Sequence, residues 1–182
     1  SFLGYFHHAN EYFTQKISLP SIGEFDVCFN RFTDLFQTDG PAFELAGSAY
    51  EEELFTQNTL SIIQKHNPEE PLFLMHAFHL LHTPLEVPKV WLMPFKHIEN
   101  KNRQKYAAMV YYMDHVIANI VGLLHAKNMW DNTFLLFFSD NGGPIYNPGS
   151  ANNYPLLGGK YSDFEGGVRV NAFMAGGVVP ES

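Results

Sequence analysis

Thr133-Phe134-Leu135-Leu136-Phe137-Phe138-Ser139-Asp140-Asn141-Gly142-Gly143 is the stretch on which the reading of the chain turns. A nearly unbroken apolar run meets an acid, an amide and two glycines. It is too short for a membrane span and too uniform for a half-buried strand, so it predicts a central strand of a parallel sheet covered on both faces. In open α/β sheets the chemistry gathers beyond the carboxyl ends of the strands. Asp140 and Asn141 stand there and offer hard oxygen atoms to a cation such as calcium or magnesium. Asp-Asn-Gly-Gly also makes a good turn by itself.

Working outward, Pro71 opens a second apolar run, Leu72-Phe73-Leu74-Met75-His76-Ala77-Phe78, read as a further strand with His76 as a core histidine bonded to a carbonyl. It leads into His79-Leu80-Leu81-His82-Thr83-Pro84. Pro84 keeps Thr83 extended and holds His82 in a loop at the same sheet edge as Asp140, either as a surface residue or as a catalyst. His79 is the fallback. Between the two runs lie an amphipathic loop over residues 85–99 and a helix from about Asn100. That helix carries Tyr106, Met109, Val110, Met113, Ile117, Ile120, Val121 and Leu124 as a stripe towards the sheet, with Asp114 and His115 solvated. Strand, helix, strand is a right-handed parallel crossover by default. Upstream, Ser48-Ala49-Tyr50-Glu51 reads as a capping box for a helix that Asn67-Pro68 ends. Downstream, a rim loop over residues 144–154 precedes Gly158-Gly159-Lys160. Lys160 is either one more solvated lysine or a point charge for an anion. Val170–Met174 reads as a third strand, and Arg169 pairs with Glu165 or Asp163.

The remaining features narrow the function classes. The chain has 182 residues, enough for one domain with a real core. Its formal charge of −8 argues against nucleic-acid binding, which needs a basic surface. Any anionic substrate therefore needs a local cation. Cys28, the single cysteine, excludes an internal disulfide and reads as a small buried hydrophobe. Phe2–Phe6 and Asp26–Phe32 read as short strands, Asp39-Gly40-Pro41 as a turn, and His7 and His8 as surface residues. No apolar run of membrane length stands out. The chain starts without methionine and reads as an internal excerpt of a longer protein.

The ordered series Pro71-Leu72-Phe73-Leu74, His82-Thr83-Pro84, Ser139-Asp140-Asn141-Gly142-Gly143, Asn153-Tyr154-Pro155-Leu156, Gly159-Lys160 and Glu165-Gly166-Gly167-Val168-Arg169 resembles the sulfatase family. That family lies in the alkaline-phosphatase-like superfamily, and the likeness is greatest to the arylsulfatase B branch. The resemblance is weak over residues 1–47 and strong over residues 48–182, and it implies one part of a single catalytic domain. The expected fold is α/β, a parallel-rich central sheet with helices on both faces, incomplete at its upstream side.

By resemblance, Asp140 and Asn141 fall on two ligands of one calcium ion whose remaining ligands lie outside this chain. His82 falls on the histidine that assists the leaving oxygen, and Lys160 on a lysine that contacts the sulfate. Family members use a formylglycine made from a Cys/Ser-x-Pro-x-Arg motif by a formylglycine-generating enzyme, and that motif is absent here. The implied substrates are sulfated small molecules or glycans, and the implied location is lysosomal or extracellular. Leu157 and Gly159 stand where relatives often carry arginines. A phosphatase or phosphodiesterase of the same superfamily is the alternative enzyme. A non-catalytic glycan-binding relative is the alternative from another class.

Overall fold

The computed structural model describes residues 1–6, 10–16, 33–146 and 151–180. The expected strand at Asp26–Phe32, the packing of Cys28, the placing of His7 and His8, and part of the rim loop lie outside them. Three short strands, β1 (Leu3–Gly4), β2 (Phe36–Gln37) and β3 (Gly40–Pro41), form an antiparallel sheet in that order. A two-residue Thr38-Asp39 turn joins the last two, one step before the turn expected at Asp39-Gly40-Pro41.

Helix α1 (Glu51–Lys65) follows, but not with the expected capping box. Its N-cap is Tyr50 without a side-chain cap, and Ser48 Oγ donates instead to the Leu45 carbonyl at 2.6 Å. Glu51, the expected reciprocal partner, is turned inward. Lys65 sits in the last turn, where a cation complements the helix dipole. Helix α2 (Lys101–Ala126) begins where expected, with Asn100 accepting from the Arg103 N–H at 3.0 Å as its cap. By length and composition alone α2 suffices to cross a membrane, which corrects the expectation that no such segment exists. Its buried residues are Ala108, Met109, Tyr112, Val116 and Leu124 with Gln104. Ile117, Ile120 and Leu124 line a second face, and Val110 is exposed, so the anticipated stripe is split between two neighbours. Asp114 and His115 are exposed, as the pattern predicts.

The core is built on Tyr12, Tyr50, Leu85, Met109, Tyr112 and Val116. Burying each of these side chains is worth about 1.5–3 kcal/mol. Aromatic contacts tie the segments together, with Tyr12 stacked on Tyr50 (5.6 Å) and Trp91 edge-on to Tyr112 (4.9 Å). Trp91 belongs to a 3-10 turn, Lys89–Phe95, that packs along α2.

The sheet that was expected to be parallel-rich is not. Strand β4 (Leu135–Phe138) pairs only with β5 (Ala172–Ala175) among the described residues, and the pairing is antiparallel, Leu135 opposite Ala175 and Phe138 opposite Ala172. The physical reason is the connection. A parallel neighbour requires a crossover that carries the chain back to the strand's starting end. Here the chain turns back beyond the carboxyl end of β4, with the single helical turn α3 (Glu165–Val168) as the one helix among the described residues of 139–171, and re-enters alongside it. The apolar run 72–78 forms no strand, because none of its backbone groups finds a ladder partner among the described residues. Its side chains still alternate, with Phe73 94% and Met75 77% exposed and Leu74, His76 and Phe78 half-buried. A groove of about 570 Å³ separates that inner side from β4 and is floored by Ile63, Ile117 and Leu124.

Candidate active site

The chain beyond β4 is folded by its glycines. Gly142 N–H donates to the Gly167 carbonyl at 2.8 Å, and a Cβ on Gly142 would overlap the Gly166 carbonyl oxygen. Lys160 N–H donates to the Gly143 carbonyl at 3.2 Å. Asn153 clasps the same turn, accepting from Gly143 N–H at 3.1 Å and donating to the carbonyls of Gly143 (2.8 Å) and Gly158 (3.1 Å). Gly158 has φ +77°, a region natural to glycine. These bonds tie the backbone that follows Asp140 and Asn141 to the backbone of Lys160.

Asp140 is exposed, and Asn141 donates its amide to the Gly142 carbonyl at 2.9 Å, which leaves its side-chain oxygen as the acceptor end. Two oxygen donors are right in kind for a hard cation but short of the six to eight that calcium takes. Among the described residues no group of three or more His, Cys, Asp or Glu side chains forms a metal site. The Lys160 ammonium lies 5.5 Å from the centroid of the Tyr161 ring. Tyr161 itself has φ +74°, uncommon for a bulky side chain. Arg169 pairs with Glu165 at 3.3 Å on the exposed face of α3, one of the two partners foreseen.

His82 is anchored by a separate group of residues. Its Nδ1 lies 2.6 Å from the Thr83 carbonyl oxygen, so Nδ1 is the donor of that bond. The Tyr12 hydroxyl lies 2.9 Å from the His79 carbonyl and 3.0 Å from the His82 carbonyl, sharing its proton between them. The rings of Tyr12 and His79 stack at 4.4 Å, and those of His79 and His82 at 5.6 Å. Glu51 holds His79 Nδ1. Glu52 accepts from the backbone N–H groups of His79 (2.8 Å) and Leu80 (3.0 Å).

Both carboxylates are fully buried. Burial, with Glu51 beside it, pushes Glu52 up to about 8 against the opposing pull of those two N–H groups. Burial pushes the Tyr12 and Tyr50 hydroxyls far above their usual range and holds His76 down to about 4. His76 Nδ1 is bonded to the Thr59 hydroxyl at 2.8 Å rather than to the carbonyl expected.

Tyr12, Glu51 and Glu52 are the residues that sequence reasoning missed. Three successive acids at a helix start look like dipole partners, and only burial distinguishes Glu51 and Glu52 from exposed Glu53. The signal available was that two histidines, His79 and His82, need fixing by something.

Comparison with known proteins shows the family. The family model described as Sulfatase matches residues 4–179. The chain is 35% identical over 141 residues to mouse arylsulfatase J, covering 78% of this chain and 23% of that protein. It is 31% identical over 142 residues to human N-acetylgalactosamine-6-sulfatase, covering 70% of this chain and 26% of the relative. A crystal structure of Ps i-CgsB in complex with k-i-k-neocarrahexaose superposes with a TM-score of 0.73 at 34% identity, covering 81% of this chain and 32% of that one. The chain thus spans about a quarter of the length of the curated relatives it matches. These matches support the family as a whole and do not single out the arylsulfatase B branch. The chain belongs to the sulfatase family.

Proposed function

We propose that the full-length protein is a sulfuric ester hydrolase acting on sulfated glycans, with this chain supplying His82, Lys160, Asp140 and Asn141 to its active site. The observation that carries the reading is the glycine-rich turn that ties Asp140 and Asn141 to Lys160, within a chain of the sulfatase family. The neocarrahexaose complex of a similar structure supports a saccharide substrate. Lys160 binds a sulfate oxygen as a point charge, which answers the formal charge of −8. His82, with Nδ1 held by Thr83, delivers a proton from Nε2 to the leaving oxygen as the S–O bond breaks. Asp140 and Asn141 are two oxygen ligands towards a calcium ion whose remaining ligands lie outside residues 1–182. When bound, calcium supplies charge neutralisation, and a formylglycine outside this chain supplies the nucleophile. A likeness to the arylsulfatase B branch and a lysosomal or extracellular location remain with the sequence resemblance.

The test is sulfate release by the full-length protein from a sulfated oligosaccharide. The expected result is hydrolysis that a calcium chelator abolishes and that Lys160→Ala lowers by about 100-fold or more, comparable with the removal of one stabilising donor. Preferential hydrolysis of phosphate esters would move the protein to the phosphatase class. Saccharide binding without turnover would make it a non-catalytic relative.

A further inference from the structure

Two adjacent carboxyl groups with no solvent exposure are costly, because each is either buried as an ion, at several kcal/mol, or held protonated against its ordinary ionisation, and a well-packed apolar pair is often the more stable choice. Stability alone does not account for Glu51 and Glu52. Their contacts converge instead on one short segment. Glu52 accepts from the N–H groups of His79 and Leu80. Glu51 holds His79 Nδ1 with one oxygen and accepts from the Tyr5 hydroxyl at 2.8 Å with the other. The segment closes as a turn, His82 N–H donating to the His79 carbonyl at 2.9 Å, and Tyr12 bridges the same two carbonyls. Residues 79–82 are thereby fixed at backbone donor, backbone acceptor and side chain by residues distant in sequence. Within that arrangement the His79 ring is the physical link between the buried Glu51 carboxylate and the His82 ring.

We propose that Glu51 and His79 are positioning residues for His82: the buried carboxylate locks the His79 imidazole, and that ring, stacked on His82, sets the orientation from which His82 delivers its proton. The inference rests on the reading of His82 as the group that assists the leaving oxygen. In that step the proton passes from His82 Nε2 to the ester oxygen, which takes the electron pair of the breaking S–O bond. A good leaving group needs that proton little, and a sugar alkoxide needs it greatly. Misorienting His82 therefore lowers kcat selectively on poor leaving groups, whereas general damage to the fold lowers both alike.

The experiment compares a sulfated saccharide with nitrophenyl sulfate, using the full-length protein with Glu51→Gln. The expected result is a kcat lower by about 10- to 100-fold on the saccharide and by less than about threefold on the aryl ester, with KM held. Added to His82→Ala, Glu51→Gln should cost nothing further, since the two act through one group. Equal losses on both esters, or an additive loss in the His82→Ala background, would overturn the proposal while leaving His82 its role. Absence of leaving-group dependence in His82→Ala itself would remove the role first, and the proposal with it. Should Glu51→Gln fail to fold, His79→Gln carries the same comparison, because its amide keeps a donor for Glu51 and loses the ring.

Discussion

Tyr12, Tyr50 and Met109 are enclosed on every side, whereas Phe73, in a more apolar run than the first two, stands almost wholly in solvent. The difference lies in what each region needs for completion. Around Tyr12 the contacts come from α1, α2 and the 79–87 segment, all within the chain, and even buried carboxylates find donors there. In residues 71–78 the side chains have a strand-like alternation with no paired strand among the described residues, and β4 pairs on one side alone among them. Leu136 and Phe138 are exposed on β4 in the same way. A helix satisfies its backbone internally, but a strand is finished only by a neighbour. The helical half is therefore self-sufficient, and the sheet half is a pair of open edges.

Five substitutions probe that contrast, from the largest effect downward. Gly142→Ala drives a Cβ into the Gly166 carbonyl and should destabilise the turn beyond β4 by about 3 kcal/mol or more, measured by denaturant unfolding. Gly159→Arg belongs with it, since a Cβ there would lie 2.6 Å from the Gly143 carbonyl oxygen. An arginine at that position needs a different backbone. In the closed half, Glu52 is raised from its ordinary 4.5 to about 8, so the folded state holds a proton that the unfolded state has released. Its contribution is whole below about pH 4.5 and declines as pH rises towards 8. Glu52→Gln should flatten this part of the profile of melting temperature against pH. His76, lowered from 6.5 to about 4, works in the opposite sense, with stability lost as pH falls between those values.

On the open edges, residues 1–182 produced alone should associate with rising concentration in light scattering. Phe73→Lys should reduce that association while changing stability by no more than about 0.5 kcal/mol. The smallest effect belongs to Leu157→Arg. Leu157 is exposed, so an arginine is accommodated there within about 0.5 kcal/mol. A large loss at Leu157, or a silent Gly159→Arg, would break the account of the glycine turns.

Both long helices were legible because their signals are local. Asn100 caps α2 through its own side chain, and Asn67-Pro68 follows α1 closely. The positions of β4 and β5 were legible too, but their direction was not. Leu135–Phe138 carries the same residues in a parallel or an antiparallel pair, and orientation depends on where residues 139–171 lead the chain. The run at 72–78 failed for a related reason, since an apolar period declares a tendency to pair and not the presence of a partner. At the site, the glycines that the motif order picked out are the ones whose backbone bonds join the turn after β4 to residues 160 and 167. The Glu51–His79 link was invisible because it joins positions 28 apart through burial, and nothing in the local spacing of either residue marks it.

Lys160 rests against an aromatic ring and forms no salt bridge among the described residues. A carboxylate partner would cancel most of its field and would have to be displaced before any visitor could use the charge. A π face holds an ammonium through its quadrupole and leaves the net charge intact. Under the proposed reading, an arriving anion would meet a cation already in place, with no ion pair to exchange, and the encounter would carry no swapping step of its own.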